Sequence, residues 1–234
     1  MTSFPRYAIY YAAPFGSLLD RFGAEHLGYD AWRSEELPFP DQVLQIVPDW
    51  HALTEDPRKY GFHATLKAPM PLAQATTEAE LVAACAGFAQ EARPLPVIRA
   101  VVGSISGFVA VMAADPSREL VKLAEDCVQT FDGFRAPLTP QERARRKPDM
   151  LTPRQRGYLE RWGYPYVMED FRFHMTLTGR LDAGRREPIV KMLQDRFAQI
   201  GIEQLSIDRI ALFRQGDRYA RFKIISDWPL RAAS

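Results

Sequence analysis

The chain has 234 residues, 47% of them apolar and 25% charged, with 30 basic and 29 acidic side chains. That much apolar area excludes disorder as the main state and supports a core that needs no staple, while length alone leaves open one large domain or two small ones. A net charge of +1 excludes a simple polyanion-coating protein, though not a local basic pocket, and no apolar run reaches the length of a membrane span.

The first predicted strand is Arg6 to Ala13, rich in Tyr and Ile and ended by Pro14. A helix follows from Ser17 to about His26, with Gly28 as its stop. Residues 29–58 are broken by Pro38, Pro40, Pro48 and Pro57 and read as loops and short pieces. A strand from Tyr60 to Ala68 is stopped by Pro69 and Pro71, and Thr77 opens a helix to about Glu91. Strands at Val97–Ser104 and Phe108–Ala114 flank a tight Ser-Gly turn, and a helix from Pro116 reaches Phe131. From Gly133 to Gly163 the chain turns Arg-rich. It carries two helix starts, Thr139-Pro140-Gln141-Glu142 and Thr152-Pro153-Arg154-Gln155, each a Thr cap, a Pro at the first helical position and Glu or Gln at the third. These predict two short helices, a connector or a flap. A strand over Asp170–Thr178, a helix over Asp182–Ile200, and strands over Ile202–Arg214 and Arg218–Ser226 complete the chain. The opening Met1–Arg6 lacks a charged-then-apolar signal, which points to a cytoplasmic location. Cys85 and Cys127 have no Cys-x-x-Cys spacing and read as reduced, buried thiols.

This order repeats. Strand, helix, strand, turn, strand occurs once from residue 60 and again from residue 171, on an offset of 111 residues. His63 falls on His174, Thr65 on Thr176 and Leu66 on Leu177, and the same offset sets Phe108 on Tyr219, Val109 on Ala220 and Val111 on Phe222. Two copies are too few for a solenoid. They suit an α+β, bilobal, duplicated fold: two antiparallel β-sheets flanking a central cleft, with helices outside. The expected division is a single bilobal domain over 1–234, with lobe one about 1–132, the connector or lid about 133–165, and lobe two about 166–234.

The two copies share Phe62-His63-Ala64-Thr65-Leu66 and Phe173-His174-Met175-Thr176-Leu177. Strand side chains alternate between faces. One face then shows Gly61, His63, Thr65 and Lys67, and in the second copy Arg172, His174, Thr176 and Thr178. The opposite faces are apolar and belong on each lobe's own core. Pseudo-symmetry lets both polar faces look at one cleft, which would hold two imidazoles, two hydroxyls, Lys67 and Arg172. One imidazole can take a proton while the other gives one. The threonines can donate to phosphoryl oxygens, and the cations can neutralise a phosphate. Two acid–base groups on opposite sides of a phosphate suit in-line displacement, with no metal or other cofactor required.

Paired His-x-Thr-hydrophobic strands in two similar lobes resemble the 2H phosphoesterase superfamily, with its 2′,3′-cyclic phosphodiesterases and bacterial RNA 2′,5′ ligase-like (LigT-like) proteins. The string Lys59 to Lys67 and the stretch Leu27-Gly28-Tyr29-Asp30 resemble a branch of uncharacterised proteins associated with phosphonate utilisation. The resemblance covers nearly the whole chain. It implies that His63 and His174 are the catalytic acid and base, that Thr65 and Thr176 hold the phosphate oxygens, and that the reaction opens a cyclic phosphate without metal. The phosphonate link suggests a sugar phosphate, such as a ribose cyclic phosphate.

Tyr60, with Tyr7, Tyr10 and Tyr11, is a candidate for lining the cleft against a sugar or base, the alternative being packing. His26 and His51 lie outside the repeat and read as structural or surface residues. The run Arg143-Ala144-Arg145-Arg146-Lys147 is read as the solvated face of a connector helix rather than a grip on nucleic acid. The expected partner is a small phosphorylated substrate, with no membrane, nucleic acid possible but not favoured, and a monomer sufficient, since both histidines stand in one chain. Rival readings are RNA end processing or ligation, a non-catalytic phospho-ligand sensor, and a metal hydrolase using the histidines with Asp170 or Glu169.

Overall fold

The computed structural model describes residues 3–233. β1 (Arg6–Tyr11) leads into α1 (Leu18–Leu27). The Ser17 hydroxyl accepts from the Asp20 amide at the helix start, and Gly28 ends the helix at φ 68°, where a side chain would be strained. The proline-rich stretch divides, as its breakers require, into β2 (Tyr29–Asp30), β3 (Glu35–Glu36), α2 (Asp41–Ile46), α3 (Trp50–Leu53) and α4 (Glu55–Arg58). β4 covers Ala64–Pro71 and runs through the two prolines expected to stop it. It pairs with β1 along its length but meets its other neighbour only at Ala64. Beyond that point one edge is open, so a residue without an N–H is tolerated.

α5 (Glu78–Gln90) opens with the Thr77–Glu80 box. β5 (Val97–Ile105) and β6 (Phe108–Ala113) close over Ser106 and Gly107, at φ 51° and 91°, the left-handed pair that a two-residue hairpin demands. α6 (Arg118–Thr130) precedes the connector, where α7 (Pro140–Arg145) and α8 (Pro153–Trp162) both begin at the expected Thr boxes. β7 is only His174–Thr176, because Met168–Asp170 forms a 3₁₀ turn where a longer strand was expected. α9 (Ala183–Gln199) follows. The single strand expected over 202–214 is two, β8 (Gln204–Ser206) and β9 (Arg209–Gln215), and β10 (Lys223–Pro229) begins five residues later than expected.

The eight longer strands form one sheet in the order β10-β9-β1-β4-β7-β6-β5-β8. Every pairing is antiparallel. The two expected sheets are its two four-stranded halves, joined at one pair, Ala64 with Met175. The halves are not the contiguous lobes expected from the sequence. β9 and β10, from the C-terminal end, complete the half that holds β1 and β4, and β5 and β6 lie beside β7. The downstream part of the 111-residue offset is corrected too. β6 sits next to β7, the histidine strand of the other copy, whereas β10 lies at the outer edge and Tyr219, matched to Phe108, is an exposed turn residue before it. Counting outward from the junction, β1 answers to β6 and β9 to β5, so the repeats have exchanged strands.

One face of the sheet packs on helices. α6 lies on β4, α5 on β9 and β10, and α9 on β5 and β6. A single core runs beneath both halves, through Ile9, Leu66, Val111, Met175, Leu193 and Leu212, in place of the separate core expected for each lobe. The other face of the first half is covered by a smaller cluster around Tyr10, Phe213 and Phe222. No helix among the described residues is long and apolar enough to cross a membrane.

Phe62, just before His63, lies over α1 so closely that a Cβ at Gly23 would stand 1.9 Å from its ring. Gly23→Ala must therefore move Phe62, and overpacking of this kind costs about 1–3 kcal/mol. The check is the urea midpoint at unchanged slope; a midpoint equal to wild type would show that the ring moves freely.

Candidate active site

His63 and His174 meet at the junction of the two half-sheets. Extending the antiparallel register from Ala64–Met175 sets His63 across from Thr176 and Thr65 across from His174, so each histidine stands beside the other copy's threonine. All four side chains are half-buried and line one cleft of about 370 Å³. The apolar alternates, Phe62, Ala64 and Leu66 with Phe173, Met175 and Leu177, are buried in the core as the alternation predicts.

Both imidazoles are held the same way. His63 Nδ1 lies 2.8 Å from the carbonyl of Gly61, and His174 Nδ1 lies 2.7 Å from the carbonyl of Arg172, each two residues back. A carbonyl only accepts, so Nδ1 carries the proton and Nε2 keeps a lone pair. The Thr65 hydroxyl is 3.4 Å from Nε2 of His63. Gly61 sits at φ 74°, which aims its carbonyl at the ring, and a Cβ there would also stand 2.7 Å from that of Ala31.

The rings have different neighbours. Tyr10, 1% exposed, stacks on His63 with centroids 3.7 Å apart and planes at 17°, whereas Phe108 meets His174 at a tilt and 5.6 Å. Burial pushes the His63 pKa down to about 3, opposed by the Gly61 carbonyl and reinforced by His174. Burial lowers His174 as well, opposed by the Arg172 carbonyl. In both rings burial favours the neutral imidazole.

Of the other residues expected at the site, Tyr60 lines the cleft, stacked on Phe222 at 5.3 Å and 6.3 Å from the His63 ring. The two expected cations are turned elsewhere. Lys67 is 3% exposed, and its ammonium donates to Asp132 (2.7 Å) and the Val128 carbonyl (3.0 Å). It has the expected parity, but its position further along β4 buries it against α6. Arg172 is exposed, gives Nη1 to the carbonyls of Glu169 and Phe171, and stands at the rim of an apolar cavity beside His174. Tyr7 and Tyr11 pack in the core, as does His26 on the Phe22 carbonyl, and His51 meets Arg58. Asp170 is held by both nitrogens of an Arg154 fork, and no group of three His, Cys, Asp or Glu among the described residues is placed to hold a metal ion.

A cation not singled out in the sequence, Arg180, stands at the cleft. It lines the cleft, is exposed, and has no ion pair or hydrogen bond among the described residues. Its backbone is pinned on either side, Gly179 N to the Leu53 carbonyl and Leu181 N to that of Gly107, and its stem lies over Gly107. Position 180 shares the parity of 174, 176 and 178, but it lies two residues beyond the strand that the sequence predicts to end at Thr178. The connector walls one side of the cleft with Arg146 and Tyr164, and is tied to the body by Arg154–Asp170 and Tyr158–Glu169.

A family model described as a protein of unknown function (DUF1045) matches residues 65–223. The chain belongs to the DUF1045 family. The match includes His174, Thr176 and Arg180 and begins two residues after His63. Among curated relatives, a protein called ribose 1,5-bisphosphate phosphokinase PhnN from Janthinobacterium sp. (strain Marseille) is 39% identical over 223 residues, 91% of this DUF1045 chain and 48% of that protein. One of the same name from Laribacter hongkongensis (strain HLHK9) is 30% identical over 98% of the chain and 53% of its own length. The chain thus spans about half the length of these relatives. Solved structures of E. coli LigT with phosphate and with NADP+ overlap 98% of the chain and 99% of LigT, at 12% and 14% identity and TM-scores of 0.45 and 0.44.

Because folded His63 refuses a proton down to about pH 3 while an unfolded histidine accepts one near 6.5, this residue leaves stability unchanged above pH 6.5 and removes it progressively as pH falls from 6.5 toward 3. His63→Gln should therefore lose less stability than wild type between pH 7 and 4.5 in urea unfolding. Parallel losses in the two proteins would show that His63 is not held neutral.

Proposed function

We propose that this chain opens a small cyclic phosphate, on a sugar or nucleotide, by two-histidine acid–base catalysis. The observation that carries the reading is the matched pair of imidazoles, each anchored through Nδ1–H to a carbonyl, with both Nε2 atoms directed at one cleft and a threonine beside each.

With phosphorus between the histidines, Nε2 of one takes a proton from water as the water oxygen bonds to phosphorus. The opposite P–O bond breaks, and the leaving alkoxide takes a proton from Nε2 of the other. The product is a phosphate monoester, and the proton returns through solvent. His63, which burial beside the stacked Tyr10 ring pushes down to about 3, is assigned as base because it is the more strongly held neutral. His174 is assigned as acid: a bound phosphate anion favours its imidazolium and reverses the depression of the empty cleft. Thr65 and Thr176 donate to the non-bridging oxygens, Arg180 neutralises their charge, and Tyr60 packs against the sugar. The mechanism calls for no metal, and one chain supplies both histidines, so a monomer suffices.

The relatives' name supports a phosphorylated ribose as the kind of substrate and, with the phosphonate-linked branch that the sequence resembles, a role in phosphonate utilisation. Its phosphokinase part stays with those longer proteins, since these 234 residues hold no Gly-rich phosphate loop.

Turnover of ribose 1,2-cyclic phosphate and of 2′,3′-cyclic nucleotides, measured with chelator present, tests the reading. His63→Ala and His174→Ala should each fall by about 100-fold or more, the usual worth of a positioned acid or base. Arg180→Gln should fall about tenfold. Full activity in either histidine variant, or activity abolished by chelator, would sink the mechanism.

A further inference from the structure

A second chamber, of about 200 Å³, adjoins the histidine cleft and shares six lining residues with it, among them Arg6, Tyr60, Arg146 and Tyr164. Five cationic side chains line this chamber, Arg6, Lys67, Arg135, Arg145 and Arg146, against one acid, Glu142. Two of the five, Arg6 and Arg146, are left without a carboxylate among the described residues. Lys67 and Arg135 share the single carboxylate of Asp132. Glu142 closes the helix-start box at Thr139. Arg6 gives two nitrogens to the neutral side chain of Gln215 and lies over the ring of Phe222. Arg146 lies over the ring of Tyr164 at 4.9 Å. Neither Arg6 nor Arg146 has an ion pair among the described residues.

Both unpaired guanidinium groups line the cleft as well as the chamber, so uncompensated positive charge is concentrated where the two spaces join. Like charges gathered without a carboxylate repel one another, and a bound anion relieves that repulsion. Planar guanidinium forks suit a phosphate, which accepts from both nitrogens of each. A volume of about 200 Å³ takes one phosphate and part of a sugar, not a run of nucleic-acid backbone.

We infer that this chamber is a second anion subsite, and that the substrate carries a phosphate monoester in addition to the phosphodiester that reacts. The inference rests on the reading of the histidine cleft as a phosphodiester site. The shared walls make the two spaces continuous, so one small molecule reaches both. The Arg-rich connector thereby gains a role, since it brings Arg146 and Tyr164 to the boundary.

The test compares ribose 1,2-cyclic phosphate with the same compound bearing a 5-phosphate, and a 2′,3′-cyclic nucleotide with and without a 5′-phosphate. In wild type, kcat/KM should be at least tenfold higher with the extra phosphate. Arg146→Gln and Arg6→Gln should each reduce that ratio by about tenfold. A ratio near one in wild type, or one unchanged in both variants, overturns the inference while leaving the histidine mechanism standing. If wild type turns over none of the four compounds, the histidine reading fails, and binding of ribose 5-phosphate by calorimetry decides the chamber separately. Binding kept in His63→Ala and weakened about tenfold in Arg146→Gln supports it; no binding, or equal binding in both, overturns it.

Discussion

The antiparallel contact of Ala64 with Met175 is the constraint on which the site depends. Two histidines 111 residues apart come to one place because their strands are neighbours at the middle of the sheet, and a one-residue slip of either strand would turn its histidine to the core face. Ala64 and Met175 are fully buried there, which locks the parity of every neighbour on both strands. The pairing is also minimal. β4 and β7 bond at this one position and then part, and the space between the diverging half-sheets is the cleft. A longer ladder would have closed it.

The same burial that fixes the register works against charge on the imidazoles. The cleft floor is aromatic, with Tyr10 under His63 and Phe213 and Phe222 behind it. Desolvation there disfavours the imidazolium by far more than one carbonyl hydrogen bond restores. On the mechanism proposed above, it is the charge of a bound anion that offsets this desolvation and allows one imidazole to serve as acid. The carbonyl bonds at Gly61 and Arg172 act on geometry rather than charge: they fix the tautomer, so that both lone pairs point at the cleft before a substrate arrives.

Much of this was legible in the sequence. The helix starts at Ser17, Thr77, Thr139 and Thr152 were read correctly because a cap is a local interaction, complete within four residues. The two His-x-Thr strands were legible because alternation and duplication agree. Strand exchange was not, since nothing local in β5 or β9 states which half of the sheet it will join; that is settled by the shared core. Lys67 shows the limit of parity. It shares a face with His63, yet Asp132, 65 positions away, takes its charge, and only the fold reveals that meeting. Arg180 shows the opposite limit: its parity is right, but it lies two residues beyond the strand predicted to end at Thr178, where alternation no longer assigns a face.

Duplication supplied two equal halves, and the surroundings made them unequal. Position 180 carries an arginine, while the 111-residue offset places Pro69 at the equivalent point of the first copy. Tyr10 lies flat on His63, whereas its counterpart beside His174 is the tilted Phe108. Along the cleft, one direction from His174 is apolar, with Ile105, Met168 and Phe171, and another leads past Tyr60 to Arg6 and Arg146. An in-line displacement needs this asymmetry, because its two ends are chemically distinct: a water is deprotonated at one and an alkoxide protonated at the other. Two identical imidazoles in identical environments would have identical pKa values and no assigned direction. The divergence of the flanking residues, rather than of the histidines themselves, is what gives the proposed displacement a direction.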